Sequence, residues 1–119
     1  MFINVSNHPS SLWGAEQLAA AEAMGPVSDL PFPSVSPEWS TEQVVALAGE
    51  WADRILARIG ACPEAAVVHV MGEAVFSYHL VRLLLAAGVR VVASTTERTV
   101  VYSPVGKTST FRFVRFREY

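Results

Sequence analysis

Hydrophobic residues in this chain fall into short Val-rich runs that alternate with longer stretches of helical periodicity. The most regular stretch reads AAVVHVMGEAVFSYHLVRLLLAAGVRVVAS. In it, the apolar run Ala66–Met71 stops at Gly72, a helical pattern covers 73–87, and a second apolar run, Val89–Ala93, follows. Strands with few polar residues are typical of a parallel sheet that is covered on both faces. The stretch therefore predicts a β–α–β unit in the middle of the fold.

The same reasoning predicts the remaining elements. Before the central unit we expect a strand at 1–6, a helix at 12–24 that Ser10 or Ser11 would cap, a strand at 27–30 and a helix at 41–59. Ser40 and Gln43 form a capping-box signature at the start of that last helix. Its buried stripe would comprise Val44, Leu47, Ala48, Trp51, Ile55 and Ile59.

Two β-like runs at 98–103 and 108–116, with a turn at 104–107, predict a C-terminal β-hairpin. The element order is then β-α-β-α-β-α-β followed by the hairpin. We predict a single domain over residues 1–119, a small Rossmann-like three-layer α/β sandwich whose sheet is mostly parallel.

Polar residues follow three of the predicted strands, at the edge where open parallel sheets bind their ligands. The first group is Asn7, His8, Ser10 and Ser11. His8 could act as an acid or base, and the other three side chains could hydrogen-bond a ribose or phosphate. The structural alternative is a capping loop with a surface histidine. We expect this loop to lie beside Gly72 if the first and third strands are neighbours.

Gly72 and Glu73 follow the third strand, at the start of the third predicted helix. A helix N-terminus presents free N–H groups, and glycine lets an anion approach them, so the pair suits a phosphate. Glu73 could also serve as a base. The alternative is a tight turn with a glutamate that the helix dipole favours. Neither GxGxxG nor GxxxxGK[ST] is present, which disfavours a dinucleotide fingerprint and a P-loop.

Ser94, Thr95, Thr96 and Arg98 follow the fourth strand, which we expect to end at Ala93. Three hydroxyl groups and a guanidinium could hold a phosphate by neutral and charged hydrogen bonds. A polar turn that leads into the hairpin is the structural alternative.

The two other histidines fit structural roles better. His69 lies inside a strand of apolar residues, where a neutral histidine with one hydrogen-bond partner is the expected state, and His79 lies on the third predicted helix, where it would be structural or at a subunit contact. No spacing of histidines and acids suits a metal ion, and the single cysteine, Cys62, cannot support a multi-cysteine site. We therefore predict no metal and no cofactor.

The C-terminal run 111–117 alternates Phe and Arg, but the alternation slips at Val114 and Arg115. A β-bulge would restore the register. Alternatively, Arg115 would point into a cleft or a subunit interface. Basic residues between aromatic ones also suit nucleic acid, whereas an edge strand protected by arginines is the structural interpretation.

Composition narrows the class of protein. The 119 residues are 51% hydrophobic and 17% charged, which is enough for a real core. The net charge of -2 gives no overall basic field for long nucleic acid, although basic residues concentrate in the last 30 positions and mark the place for an anionic partner. No apolar run approaches the roughly 18 residues of a membrane span, and the N-terminal residues lack signal-peptide features. A cytoplasmic location is the resulting expectation.

The order of motifs resembles a known family. Four segments carry the resemblance: His69-Val70-Met71-Gly72-Glu73-Ala74, 80–88, Thr96-Glu97-Arg98 and 106–113. Their layout is similar to that of the small stand-alone ring nucleases and CARF-type domains of type III CRISPR systems, and of their viral counterparts. The resemblance implies a Rossmann-like homodimer that binds cyclic oligoadenylate at strand ends and helix N-termini, and in some members cuts it. The viral enzymes carry a histidine between the glycine and the glutamate, whereas here Gly72 and Glu73 are adjacent. His8 would then have to act as the catalytic histidine, or the protein would act only by positioning the reacting groups.

The leading hypothesis is thus a dimeric protein that binds a small phosphate-containing nucleotide. Cyclic oligoadenylate is the first candidate ligand, and its cleavage without a metal ion is the candidate reaction. A ribose 2′-hydroxyl can attack the adjacent phosphate if the protein aligns the two groups and stabilises the charge. Three rivals stay open. They are a non-catalytic nucleotide- or metabolite-binding module, an interaction protein that uses its aromatic C-terminal strand, and an enzyme acting on another nucleoside or phosphorylated substrate with Glu73 as base.

Overall fold

A five-stranded sheet forms the centre of the molecule. The computed structural model describes residues 1–119. The strands are β1 (Phe2–Ser6), β2 (Val27–Asp29), β3 (Val67–Met71), β4 (Arg90–Ser103) and β5 (Gly106–Glu118). They lie in the order β2-β1-β3-β4-β5, and all neighbours are parallel except β4 and β5, which form an antiparallel hairpin. Because β1 and β3 are adjacent, the loops that follow them meet at one edge of the sheet.

Three α-helices cover the sheet, α1 (Ala15–Glu22), α2 (Thr41–Ile59) and α3 (Ala74–Ala86), and two short 3₁₀ turns lie at Ser10–Leu12 and Pro63–Ala65. Helices α2 and α3 pack on each other and on one face, while α1 lies on the other face against β5. The predicted mostly parallel three-layer α/β fold with a C-terminal hairpin is confirmed. None of the helices has both the length and the apolar character needed to cross a membrane.

The two faces of the sheet bury cores of unequal size. The larger core unites strand residues such as Val68 and Val70 with Ile55 of α2 and Phe76 of α3, all fully buried. Burial of a side chain of this size contributes about 1.5–3 kcal/mol, so this face supplies most of the stability. The smaller core contains only Phe2, Ala21, Val67 and Val92 as fully buried apolar residues. The face that carries α1 therefore leaves room for polar side chains.

Helix α2 begins as its sequence predicts. Ser40 Oγ accepts a hydrogen bond from the Gln43 amide at 3.3 Å, and Gln43 Oε1 accepts one from the Ser40 amide at 2.8 Å. The predicted stripe is at least partly buried throughout, with Ala52 and Leu56 added to it.

The first helix is shorter than predicted. A 3₁₀ turn occupies Ser10–Leu12, and α1 begins only at Ala15 with Gly14 as its N-cap. Neither Ser10 nor Ser11 caps it, because the Ser10 hydroxyl instead donates to an Asp29 carboxylate oxygen at 2.8 Å. The prediction of one continuous helix over 12–24 is wrong for this reason.

The fourth strand does not end at Ala93. Residues Ser94–Arg98 stay in the ladder because β5 pairs with them after β3 has ended at Met71. The prediction that this strand ends at Ala93 is therefore wrong, and so is the structural alternative of a polar turn at 94–98. A β-bulge in β5 does restore the register: Thr95 pairs with Arg115 and Thr96 with Phe113, which leaves Val114 as the extra residue.

Candidate functional site

A cavity of about 690 Å³ opens at the carboxyl edge of the sheet, on the face that carries α1. The β1–α1 loop forms one wall, and the base of the β4–β5 hairpin forms the other. Ligands of open α/β sheets bind outside the carboxyl ends of their strands, and typical small-molecule sites enclose roughly 300–1,000 Å³. The cavity has both the place and the size of a small-molecule site.

The cavity brings together residues from all three polar strand ends that the sequence singles out. Asn7 and His8 line it from the first loop, Gly72 from the end of β3, and Ser94 and Thr96 from β4. The side chains of Asn7 and His8 are exposed, so a ligand can reach them. The expected neighbourhood of the first loop and Gly72 is present because β1 and β3 pair in parallel.

Glu73 does not reach this cavity. Its two carboxylate oxygens accept hydrogen bonds from the amides of Val75 at 3.2 Å and Phe76 at 2.7 Å, which caps α3. The carboxylate thus occupies the N–H groups that a phosphate would need. A Cβ atom at Gly72 would overlap the ring of Phe32, so the glycine is required for close packing there. The structural alternative describes this helix start better than the anion site does.

Four other predicted residues also lie outside the cavity lining. Ser10 bonds Asp29, and Ser11 lies exposed in the 3₁₀ turn. The Thr95 hydroxyl donates to the Arg115 carbonyl at 2.9 Å. Arg98 donates to Ser109 at 3.1 Å and lies 5.9 Å above the Phe111 ring, on the projecting part of the hairpin.

His69, which the sequence marked as structural, lies at the floor of the cavity in a chain of hydrogen bonds. Its Nδ1 is 2.9 Å from Asn4 Oδ1, and its Nε2 is 3.2 Å from Ser94 Oγ. Asn4 Oδ1 also accepts from Ser6 Oγ at 2.8 Å, and Asn4 Nδ2 donates to Asp29 at 2.8 Å. Because Asn4 thus presents its oxygen to the ring, Nδ1 carries the proton and Nε2 accepts from the Ser94 hydroxyl. The other neighbour of that hydroxyl, Met71 Sδ at 2.9 Å, is a thioether and a weaker acceptor than the imidazole.

Burial keeps His69 neutral. The side chain is 2% exposed, and the rings of Phe2, Trp13 and Phe116 lie within 6.3 Å of the imidazole centroid. Desolvation lowers the pKa of His69 to about 4. A neutral imidazole bonded to a serine hydroxyl, and oriented on its other nitrogen by a third group, has the layout of a base that activates a hydroxyl.

Asp29 supports this chain from the far side. Partial burial acts to raise the pKa of its carboxyl, but hydrogen bonds from the Asn4 and Ser10 side chains and the Ser10 amide outweigh that effect, and the pKa lies below its usual value. The carboxylate is therefore charged at neutral pH and holds the Asn4 amide in one orientation. No group of three or more His, Cys, Asp or Glu side chains comes together in a way that could hold a metal ion.

The remaining walls are aromatic and neutral. Trp13 and Phe111 line the cavity, and Phe111 is 68% exposed. No lysine or arginine is among the lining residues. Aromatic faces beside amide and hydroxyl groups suit a nucleobase and its ribose, since every base can stack on an aromatic ring.

Sequence reasoning missed Asn4, Trp13 and His69. A signal for two of them was present: Asn4 and His69 interrupt otherwise apolar strands, and each is two residues from the end of its strand. Buried polar residues in parallel strands need partners, and neighbouring strands supply them when the register matches. The register pairs Asn4 with His69, but the sequence alone does not give that register.

Fold and cavity together define a class: a small α/β protein of Rossmann-like type with a polar site at the carboxyl edge of its sheet. A family model described as "Uncharacterized protein MJ1673 family" matches residues 1–117, so the chain belongs to that family. A search of the curated proteins and a search of the solved structures each found no match.

Proposed function

We propose that this protein binds a cyclic oligoadenylate-type nucleotide in the cavity at the carboxyl edge and cleaves it without a metal ion. The observation that carries the proposal is the hydrogen-bonded chain Ser94–His69–Asn4, which ends in a cavity that His8 and two aromatic rings also line. In such a role the protein would act in the cytoplasm in CRISPR-associated antiviral defence, as ring nucleases do.

The proton acceptors and donors that line the cavity define the proposed reaction. A ribose 2′-hydroxyl attacks the adjacent phosphorus, a 2′-O–P bond forms, and the bond from phosphorus to the 5′-oxygen breaks. The attacking hydroxyl gives its proton to the Ser94 oxygen as the Ser94 proton passes to His69 Nε2. His8, exposed at the opposite wall, donates a proton to the departing 5′-oxygen. The products are a linear nucleotide with a 2′,3′-cyclic phosphate and a free 5′-hydroxyl.

A second function is favoured by one specific observation. Neither Glu73 nor Arg98 lines the cavity, and no other cation or carboxylate does. A site without such groups suits a non-catalytic module that binds the nucleotide and reports it to a partner. The two functions share the ligand and differ in the product.

The test is incubation of the protein in EDTA with cyclic tri-, tetra- and hexa-adenylate, followed by liquid chromatography and mass spectrometry. Cleavage predicts linear products with a cyclic phosphate end. Removal of a catalytic acid or base costs about 10²–10⁴-fold in rate, so His8→Ala, Ser94→Ala and His69→Asn should each lose activity in that range. Ser11→Ala, on the same loop as His8 but outside the cavity, is the matched control and should keep full activity.

Binding can be measured on the same proteins. Phe111→Ala should weaken binding by about tenfold or more, as expected for loss of a base-stacking ring, whereas Tyr78→Ala, a similarly exposed ring on α3 outside the cavity, should not. A ring that binds unchanged and yields no product would favour the module. Unaltered turnover in both His8→Ala and Ser94→Ala would overturn the assigned site.

A further inference from the structure

The β4–β5 hairpin extends far beyond the body of the protein. Only Arg90, Val91 and Val92 of β4 pair with β3. Beyond the bulge, eight residue pairs from Thr96–Phe113 to Ser103–Gly106 continue as a two-stranded ribbon of about 26 Å, at about 3.3 Å per residue. We call residues 96–113 the arm. The Cα radius of gyration is 15.9 Å, above the roughly 13.5 Å of a compact domain of this length.

The arm exposes apolar side chains that a solvated ribbon does not need. Val105 at its tip is 98% exposed, Tyr102 77%, Phe111 68% and Val101 57%. No residue of the arm is fully buried. A lone two-stranded ribbon is at best marginally stable in water, so this surface needs a cover.

The hairpin and the body of the protein carry net charges of opposite sign. The hairpin, residues 90–118, has six basic and two acidic side chains, a net charge of +4. Residues 1–89 have three basic and nine acidic side chains, a net charge of -6, and the two parts account for the -2 of the whole chain. The hairpin and the body of another copy are therefore electrostatically complementary.

Four of the nine acidic side chains of the body lie at the edge of the sheet from which the arm projects. Each helix follows a parallel strand, so all three helices begin at the carboxyl edge of the sheet. Exposed acids lie at or just before these starts, at Glu16, Glu38, Glu42 and Glu73. The basic residues of the body, Arg54, Arg58 and Arg82, lie in the later turns of α2 and α3.

We infer that the arm docks on a second copy of this chain, across the acidic carboxyl edge of that copy, in a symmetric pair. The exposed apolar residues in the outer part of each arm, Val101, Tyr102 and Val105, are covered by the other copy. The arm cations Arg98, Lys107 and Arg112 face its acidic edge. The net charge of -6 on the body would repel a nucleic acid that approached the arm, which favours a second copy as the occupant.

The pairing also completes the cavity, and this consequence rests on the proposed function. The cavity has no lysine or arginine in its lining, yet a phosphate ligand needs cations to offset its charge. The arm of the second copy would bring those cations to the mouth of the cavity. The dimer itself is tested without any ligand, so it can fail or hold independently of the nucleotide hypothesis.

The first experiment is sedimentation equilibrium of the ligand-free full chain. We expect a mass twice the 12.9 kDa of the chain and a dissociation constant that rises with sodium chloride, since salt screens the arm–edge attraction. A monomer throughout the micromolar range would overturn the inference. A dimer whose dissociation constant does not respond to salt would overturn the placement of the arm on the acidic edge.

The second experiment uses the single lysine of the chain, Lys107, which lies on the arm. A carbodiimide joins lysine directly to a carboxylate that touches it. We expect a covalent dimer in which Lys107 is bonded to Glu16, Glu38, Glu42 or Glu73 of the second copy. The Lys107→Arg variant keeps the charge and should still form the non-covalent dimer, but it should lose the crosslink. Attachment only to Glu97 or Glu118 of the second copy would overturn the placement.

Matched variants separate docking from folding. Tyr102→Ser combined with Val105→Ser should raise the dissociation constant by about tenfold or more. Leu85→Ser removes a 45% exposed apolar side chain from α3, away from the arm, and should leave the dissociation constant unchanged. Circular dichroism should show the same folded spectrum for both variants. Equal weakening by both would overturn the inference.

Discussion

At the scale of single residues, His69 is the side chain on which cavity and stability both depend. Its ring is enclosed by aromatic side chains and bonded on both nitrogens, to Asn4 and to Ser94. A protonated ring would keep its bond to Asn4 and would donate to the Ser94 oxygen, but it would place a charge in an apolar environment with no carboxylate beside it. The burial of His69 therefore makes the fold sensitive to acid.

The first prediction is a loss of stability between pH 6.5 and pH 4. In that window the unfolded chain binds a proton at His69 and the folded chain does not, so the free energy of unfolding falls as the pH falls. A pKa lowered from 6.5 to about 4 corresponds to about 3 kcal/mol. Urea unfolding at a series of pH values measures it.

The control for this prediction is His69→Asn, whose amide can still donate to Asn4 and which has no proton to gain. Its free energy of unfolding should change little over the same window. The lowered pKa of the Asp29 carboxyl affects the free energy of unfolding only below the usual value of 3.8. The effects of Asp29 and His69 can therefore be distinguished. An equally steep decline in the variant would contradict the assignment to His69.

The second prediction concerns Gly72. A Cβ atom there would overlap the Phe32 ring, which packs at 5.0 Å from Phe76 in an edge-to-face contact. We expect Gly72→Ala to lower the free energy of unfolding by about 1–3 kcal/mol, the usual cost of overpacking. Chemical denaturation of Gly72→Ala and of the double variant with Phe32→Leu measures it. Because the smaller side chain relieves the overlap, the double variant should recover part of the loss, and no recovery would contradict the explanation.

At the scale of elements, the parts of the fold that depend on local patterns were predictable from the sequence. The two buried strands around α3, the capping box at Ser40 and the glycine stops at Gly60 and Gly88 depend only on neighbouring residues, and both glycines have positive φ angles. The length of β4 was not predictable, because its continuation past Ala93 depends on pairing with β5 across the hairpin. The cavity floor was missed for the same reason: Asn4 and His69 are 65 residues apart and meet only through strand register.

The third prediction tests one of these local devices. Ser40→Ala removes the side-chain half of the capping box that satisfies the Gln43 amide. We expect a loss of about 1 kcal/mol in the free energy of unfolding. Ser34→Ala, an exposed serine in the loop before α2, is the matched control and should show no change. Equal losses in both variants, by thermal or urea denaturation, would rule out capping as the cause.

At the scale of the whole molecule, the arm and the body behave as separate parts. The arm has no buried residue, whereas both hydrophobic cores lie outside the arm. The stability of a lone chain should therefore reside in the body. If two copies pair through the arm, however, association adds to that stability by an amount that rises with the logarithm of the protein concentration.

The fourth prediction follows from this separation. The thermal midpoint of the intact protein should rise with protein concentration. A variant in which an Asn-Gly turn replaces residues 99–110 should still fold, because its core is complete, and its midpoint should not depend on concentration. Scanning calorimetry over a dilution series measures both proteins. A concentration-independent midpoint in the intact protein would contradict the pairing of two copies.

The position of β1 between β2 and β3 has a consequence for how the chain folds. The ribosome makes β1 well before β3, although Phe2 pairs with Val67. Until β3 emerges, the apolar residues of β1 have no partner on that side, and contacts of such long sequence separation are slow to form. The cavity floor assembles at that late step, since Asn4 and His69 come from these two strands. A nucleotide that requires this floor can bind only the completed fold, so it would stabilise the protein against global unfolding by an amount that grows with its concentration relative to its dissociation constant.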